Sequence, residues 1–179
     1  VTFWPVAVET FRLGGQPIEA PANNRVQGAM DCLRIGLRTT TPDLTFARVG
    51  LDRLRLHLRG VGAQAALLHE LLCTSTVGIA LADGPADPRP TLLGPECLQP
   101  AGYEPQEAAL PWPQRSFAGY RLLTEWFAFP DKFLYLDITG LEARTLLQES
   151  GKLDIFIYLS RAMPELERSL GPENVALGC

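Results

Sequence analysis

Hydrophobic and polar residues alternate in several segments of the chain, which is the pattern of β-strands with one buried face. The clearest segments are residues 32–38, 53–59 and 152–160. In 53–59, leucine alternates with arginine or histidine, whereas 152–160 is apolar on both faces, so we expect that strand to be covered on both sides. Further predicted strands are 3–13, 77–81, 91–93, 133–138 and 174–177.

Helical spacing of apolar residues is restricted to a few short segments. Residues 63–73 place leucines on one side of a helix, and Pro164 suits the first position of a short helix that Gly171 closes. The strands are not regularly interleaved with helices, which argues against a doubly wound parallel sheet. The sequence therefore predicts a mainly β or α+β fold, an antiparallel β-sandwich or open barrel-like domain with two or three short helices.

Residues 116–141 change from helical to strand periodicity across a single corner. Helical spacing precedes Pro130, which cannot extend a helix, and strand alternation follows it. The segment carries no nucleophile, metal-ligand set or phosphate-binding loop, and we expect its apolar side to pack inside the fold. The predicted core residues of this corner are Tyr120, Leu123, Trp126, Phe127, Phe129, Pro130 and Phe133.

Prolines are concentrated in residues 100–113, which we interpret as an irregular connector. The β-rich chain, residues 1–179, could divide there into β subdomains 1–99 and 114–179. Trp112 lies between two prolines, and we expect it to dock on another surface because a braced aromatic loses little entropy on binding. Position 1 is valine rather than methionine, so we interpret the chain as the middle region of a longer protein.

Composition narrows the classes of partner and compartment. The net charge is -4 and the isoelectric point is about 5.2, which argues against a nucleic-acid binder because phosphate contacts need clustered basic residues. The 4 cysteines contain no CxxC pair and suggest reduced thiols in a cytosolic protein. No apolar segment is long enough to predict a membrane span.

Several residues invite a chemical interpretation, but each also has a structural one. His69-Glu70 begins like a zinc-protease motif, yet the fifth position is Cys73, so a polar pair on a helix is favoured and no metal is expected. A row of arginines could bind an anion or an acidic partner, although such rows more often line a solvated sheet face. That row comprises Arg53, Arg55 and Arg59, with Arg48 nearby.

Two rival functions remain open at this point. The acidic pairs Asp137 and Asp154, or Glu142 and Glu149, could serve a glycoside hydrolase if they converged in a cleft. A carbohydrate-binding β-sandwich would instead need coplanar exposed aromatics on one sheet face, for which the candidates are Tyr103, Trp112, Tyr120 and Trp126.

The corner segment also resembles a known family. Residues 115–141 read RSFAGYRLLTEWFAFPDKFLYLDITGL and closely resemble a signature of the TssF family, also called ImpG or VasA. The flanking segments that agree with it are 4–5 (WP), 51–58 (LDRLRLHL), 68–72 (LHELL), 98–103 (LQPAGY), 110–113 (LPWP) and 177–179 (LGC).

The resemblance implies a structural role without catalytic residues, cofactor or small-molecule substrate. TssF-like proteins form baseplate wedges of bacterial type VI secretion systems, related to phage-tail wedges, at the cytoplasmic face of the inner membrane without inserting into it. The implied partners are TssG, a second TssF copy, TssE, TssK and the VgrG hub. Under this interpretation Arg115, Asp131 and Lys132 fix the corner or contact a partner.

Overall fold

The computed structural model describes residues 4–24, 26–113 and 115–178. Within them the strands are β1 (Val6–Gly14), β2 (Asp31–Thr39), β3 (Arg53–Leu58), β4 (Thr76–Ala82), β5 (Thr91–Leu93), β6 (Leu98–Ala101), β7 (Tyr135–Thr139), β8 (Lys152–Leu159) and β9 (Val175–Leu177). The α-helices are α1 (Phe46–Val49), α2 (Gln64–Ser75), α3 (Ala118–Ala128), α4 (Glu142–Thr145) and α5 (Pro164–Glu167). Single 3₁₀ turns occupy Pro95–Cys97, Pro105–Glu107, Pro130–Phe133 and Pro172–Asn174.

The strands form two antiparallel sheets. One has the order β1-β2-β8-β4-β5 and the other the order β6-β7-β3-β9, and no closed barrel is formed by the described residues. The prediction of an α+β fold with antiparallel sheets is confirmed. The described residues contain five α-helices rather than two or three. The additional ones, α1 and α4, are turns of 4 residues each that carry little periodic signal, whereas α5 begins at Pro164 as expected.

Strands from both sides of the proline-rich segment are interleaved. In the first sheet β8 lies between β2 and β4, where Ile155 pairs with Ile35 and Ile157 pairs with Ile79. In the second sheet β3 lies between β7 and β9. A division into separate 1–99 and 114–179 β subdomains is therefore wrong, because each sheet is completed only by strands from both parts.

One continuous core fills the space between the sheets. Leu54, Leu56 and Leu58 of β3 are at most 1% exposed, as their alternation predicted. Leu68 and Leu72 of α2 pack into the same cluster. Burial of these side chains supplies most of the driving force for folding. The two sheets thus share one hydrophobic core.

The outer face of the first sheet is covered as well. Phe156 and Tyr158 of β8 are buried in a second cluster, where Ile18 and Val26 of the loop between β1 and β2 pack over them. This confirms that β8 is buried on both sides. The apolar character of residues 152–160 on both faces is the sequence signal for that arrangement.

The proline-rich segment is more ordered than an irregular connector. It contributes β6, whose Pro100 pairs with Leu136 of β7. Proline lacks the N–H that a central strand needs, but β6 is an edge strand, where that loss is tolerated. The remainder of the segment, residues 102–113, becomes the surface on which α3 rests.

Candidate protein-interaction surface

Helix α3 begins after Phe117 and ends at Ala128, with Phe129 as its C-cap. Pro130 then opens a 3₁₀ turn that leads into β7. The prediction that the helix ends at this proline is confirmed. The corner therefore holds α3 at the junction between the proline-rich segment and the second sheet.

The covered side of α3 is its charged side. Arg121 is 3% exposed and Glu125 is 0% exposed. Arg121 Nη1 donates to Glu125 Oε2 at 3.2 Å, and Lys132 Nζ also donates to this carboxylate. Three charges thus meet beneath the helix, where each has a partner as buried charges require.

Backbone groups of the proline-rich segment complete this network. Glu125 Oε1 accepts the amides of Ala109 at 2.8 Å and Leu110 at 3.3 Å. Arg121 Nη2 donates to the Tyr103 carbonyl oxygen at 2.7 Å. Burial alone would raise the pKa of Glu125, but the Lys132 ammonium and these amides outweigh it and hold that pKa below its ordinary value. The helix is consequently fixed in one orientation by directional polar contacts.

A second ionic group anchors the same segment to the sheet. Arg55 of β3 binds Asp137 of β7 through Nε and Nη2, each at 2.7 Å, and binds Glu107 at 2.6 Å. Glu107 in turn accepts the amide of Gly102 at 2.7 Å. Hydrogen bonding to Asp137 is the largest cause of the raised pKa of Arg55. Arg55, one member of the predicted arginine row, therefore anchors the proline-rich segment to the second sheet.

The apolar side of α3 faces outward, which corrects the sequence-based prediction of a buried corner. Phe127 is 83% exposed and Tyr120 is 64% exposed, whereas Phe133, in the 3₁₀ turn, is 3% exposed and belongs to the interior. The polar network occupies the covered side of the helix, so the large apolar side chains are turned away. The exposed residues predicted as core are Tyr120, Leu123, Trp126, Phe127, Phe129 and Pro130.

We call these outward side chains the α3 surface, which consists of Phe117, Tyr120, Leu123, Trp126, Phe127 and Phe129. Between positions 115 and 131 the charged residues are Arg121 and Glu125, and both are buried. The α3 surface therefore presents no charge to solvent. Contiguous apolar patches of this kind are typical of interaction sites.

Charged residues border the α3 surface at its two ends. Arg115 and Asp131 are exposed, and the charge of Asp131 acts on His57. Lys132 is bound to Glu125, with its side chain 13% exposed, so it fixes the corner rather than presenting a free cation. Trp112 is half-buried, and its indole nitrogen lacks a hydrogen-bond partner among the residues that the structure describes.

Sequence reasoning missed Arg121 and Glu125, which decide the orientation of α3. Their signal was present as opposite charges four positions apart on a helix with no other charge. That spacing is usually found on solvated helix faces, so the pattern favoured the opposite orientation. Only the backbone hydrogen bonds with Tyr103, Ala109 and Leu110 reverse that expectation.

The candidate catalytic groups are dispersed. Asp137 lies in the second sheet on Arg55, and Asp154 lies in the first sheet, where Arg34 binds it at 2.6 Å. Glu142 and Glu149 are exposed. Over residues 4–24, 26–113 and 115–178, no cluster of three or more His, Cys, Asp or Glu could hold a metal ion.

His69 and Cys73 lie one turn apart on α2, with their side chains 3.8 Å apart. Burial raises the pKa of the Cys73 thiol and lowers that of His69, which disfavours the charged form of each. A neutral thiol is a weak nucleophile and a weak metal ligand. None of the helices within the described ranges has the length and apolar character that crossing a membrane requires.

Comparison with known proteins places the chain in a family. The family described as "Type VI secretion system, TssF" matches residues 1–179. The "Type VI secretion system component TssF1" of Pseudomonas aeruginosa strain PAO1 is 28% identical over 182 residues, covering 100% of this chain and 29% of that relative.

A solved structure has the same fold. It is a cryo-electron microscopy structure of the type VI secretion system TssK-TssF-TssG baseplate subcomplex. One of its chains is similar to this one at a TM-score of 0.75 and 23% identity, over 99% of this chain and 31% of that chain. The chain thus spans about a third of these relatives. Because the family match extends over the whole chain, this chain belongs to the TssF family of type VI secretion systems.

Proposed function

We propose that this chain is a structural, non-catalytic part of a type VI secretion baseplate and acts through protein-protein contacts. The observation that carries the proposal is the charge-free α3 surface, held outward by a buried ionic network. Membership of the TssF family supports the assignment to a baseplate. The similar solved structure is of a TssK-TssF-TssG subcomplex, which supports TssG and TssK as partners.

The finer assembly follows from the family resemblance. The further proposed partners are TssE, the VgrG hub and a second TssF copy, and the proposed location is the cytoplasmic face of the inner membrane. Within the chain, the α3 surface with Arg115 and Asp131 at its ends, and Trp112 nearby in sequence, are the proposed contact residues. Nucleic acid, membrane lipid and small-molecule substrates have no part in this proposal.

A carbohydrate-binding role has no comparable support. Such modules bind sugars on coplanar aromatics of a sheet face. Here Phe117 is the N-cap of helix α3 and Tyr120 lies in its first turn, and the planes of their rings are 84° apart. Large aromatic side chains grouped on one exposed surface instead resemble the centres of protein interfaces, where aromatic residues are enriched.

The test is to co-purify TssG and TssK with the full-length polypeptide that contains this chain. We expect Phe127→Ser to reduce the yield of the complex, because it places a polar group in the middle of the contact. Val61→Ser is the matched control, since Val61 is 91% exposed and lies in the turn before α2. Unchanged yield for Phe127→Ser, or equal losses for both variants, would contradict the proposal.

A further inference from the structure

We propose that a groove on the outer face of the first sheet binds an acidic peptide segment of a partner protein. Strands β1 and β2, the loop that follows β1 and helix α5 form the walls of this groove, which has a volume of about 810 Å³. That volume falls within the range of about 300–1,000 Å³ that is usual for ligand sites. The inference goes beyond the proposed function, because the groove shares no residue with the α3 surface.

Two arginines of the groove stand opposite one another on neighbouring strands. Arg12 of β1 and Arg34 of β2 are register partners, and they alternate with Leu13 and Leu33, which enter the core on the other face of the sheet. Like charges in such a cross-strand pair repel each other. The charge of Arg34 is compensated, since its Nε and Nη2 donate to Asp154 at 3.1 and 2.6 Å.

Two of the three groove arginines have no counter-charge. Arg12 is exposed, as is Arg168, the C-cap of α5. Among the described residues, neither side chain forms an ion pair or a hydrogen bond. Because both residues line the same cavity, two unpaired positive charges are held at one site. This arrangement favours an anionic ligand.

Two carboxylates also line the groove, but neither neutralises these arginines. Glu19 is exposed and forms no ion pair with another residue that the structure describes. Glu167 is turned toward other groups: its Oε1 lies 2.9 Å from the position that a Cβ on Gly15 would occupy. Burial and the charge of Glu167 both raise the pKa of Asp31. The groove is therefore positive at its two arginines and negative at separate points.

Such a charge pattern suits carboxylates that are spaced along a chain. A guanidinium binds a carboxylate through two parallel hydrogen bonds. Phosphate chains and nucleic acids carry denser negative charge, which Glu19, Glu167 and the net charge of -4 would repel. Met30 also lines the groove and is 50% exposed, so it offers an apolar contact beside the charges. An acidic peptide with apolar side chains matches both features.

Fluorescence anisotropy of a labelled peptide tests the groove, with the full-length polypeptide that contains this chain as the protein. The probe is a short peptide in which aspartate and leucine residues are separated by serine. Arg12→Gln and Arg168→Gln should each weaken binding about tenfold, because each removes a charged hydrogen-bond donor. Arg48→Gln is the matched control and should bind as the parent does. Arg48 is also exposed and unpaired among the described residues, but it lies in α1, outside the groove.

Charge reversal gives a result that a merely structural role of these arginines would not produce. The variant that combines Arg12→Glu with Arg168→Glu should lose the aspartate probe. It should instead bind a probe in which lysine replaces aspartate, since the groove then carries only acidic charges at these positions. A third probe, with asparagine in place of aspartate, should bind the parent at least tenfold more weakly than the aspartate probe does.

Four results would each overturn the proposal: unchanged affinity in both glutamine variants, an equal loss in Arg48→Gln, equal binding of the asparagine probe, or no binding of the lysine probe by the charge-reversed variant. Displacement of the aspartate probe by an equal concentration of inorganic phosphate would overturn a peptide as the occupant and assign the groove to small anions.

The variant Phe127→Ser separates this inference from the proposed function. It should bind the aspartate probe as the parent does, because Phe127 lies outside the groove. Loss of probe binding in this variant would place the peptide on the α3 surface and overturn the groove. An undiminished yield of the complex with TssG and TssK would contradict the proposed function and leave the groove intact.

Discussion

Arg121 and Glu125 lie one helical turn apart on the covered side of α3, joined by a 3.2 Å contact between Nη1 and Oε2. Their side chains are 4% and 0% exposed, and Lys132 reaches the same carboxylate. This pair turns the polar side of the helix inward. The aromatic side is therefore exposed.

Removing the carboxylate should destabilise the fold strongly. Glu125→Gln leaves Arg121 and Lys132 close together beneath the helix without a counter-charge, and breaking a buried ion pair in this way costs about 3–5 kcal/mol. Urea unfolding followed by tryptophan fluorescence measures the free energy of unfolding.

The matched control for Glu125→Gln is Glu70→Gln. It breaks the pair between Glu70 and Arg161, whose side chains are 58% and 48% exposed. This change should cost less than about 1 kcal/mol, as exposed pairs do. Equal losses from the two substitutions would contradict a special role for the buried network.

Truncating the aromatic residues on the two sides of the corner should change the free energy of unfolding by very different amounts. Phe127→Ala should change the free energy of unfolding by no more than about 0.5 kcal/mol, because the side chain is 83% exposed. Phe133→Ala should cost about 3–5 kcal/mol, because that side chain is 3% exposed. Thermal melts of both variants check this. A large loss for Phe127→Ala would mean that its ring is buried within the chain.

Gly102 is expected to be intolerant of any side chain. Its φ of 99° lies in the left-handed region, and an added Cβ would stand 2.6 Å from the Lys132 carbonyl oxygen. Gly102→Ala should therefore cost about 1–3 kcal/mol in backbone strain and displacement of the corner.

Gly84→Ala is the control for Gly102→Ala. An added Cβ at Gly84 would meet nothing within 4 Å, and its backbone is not in the left-handed region. Urea unfolding should show the two variants well separated. If they are equally stable, close approach of residues 102 and 132 does not constrain the corner.

Stability should fall on mild acidification because of two histidines. Burial lowers the pKa of His57 below 6.5, and Arg59 adds to the effect, while burial also lowers the pKa of His69. The unfolded chain then binds protons more readily than the folded one. The stabilising contribution is complete above pH 6.5 and is lost as the pH falls from there toward the lower folded-state pKa values.

Unfolding free energies measured between about pH 7.5 and 5.5 test this sign. His57→Phe retains an aromatic ring against Tyr135, whose centroid is 4.4 Å away, and should flatten part of the slope. His69→Gln should remove the remainder. A slope that neither variant changes would assign the pH dependence to other groups.

The sequence predicted the strands and their buried faces correctly wherever another part of the same chain covers those faces. The alternation in residues 53–59 predicted β3 and its inward face, and the apolar character of both faces of residues 152–160 predicted β8. These predictions held because both strands are buried by other parts of the same chain. Strand β6 was missed because Pro100 disfavours a strand, and only its edge position makes that proline acceptable.

The orientation of α3 could not be predicted in the same way. Periodicity locates an apolar face and Pro130 locates the end of the helix, but periodicity does not say whether the surface that covers that face belongs to this chain. The hydrogen-bond partners of Arg121 and Glu125 include main-chain atoms of residues 103, 109 and 110, which carry no sequence signal of their own.

Hydroxyl-radical footprinting of the full-length polypeptide, alone and assembled with TssG and TssK, measures coverage of the α3 surface most directly. In the unassembled protein, Phe127 and Tyr120 should be oxidised rapidly. On assembly their rates should fall toward that of the buried Phe133, while Leu147, which is 78% exposed and lies outside the corner, should keep its rate. Undiminished oxidation of Phe127 and Tyr120 in the assembled complex would contradict a contact role for this surface.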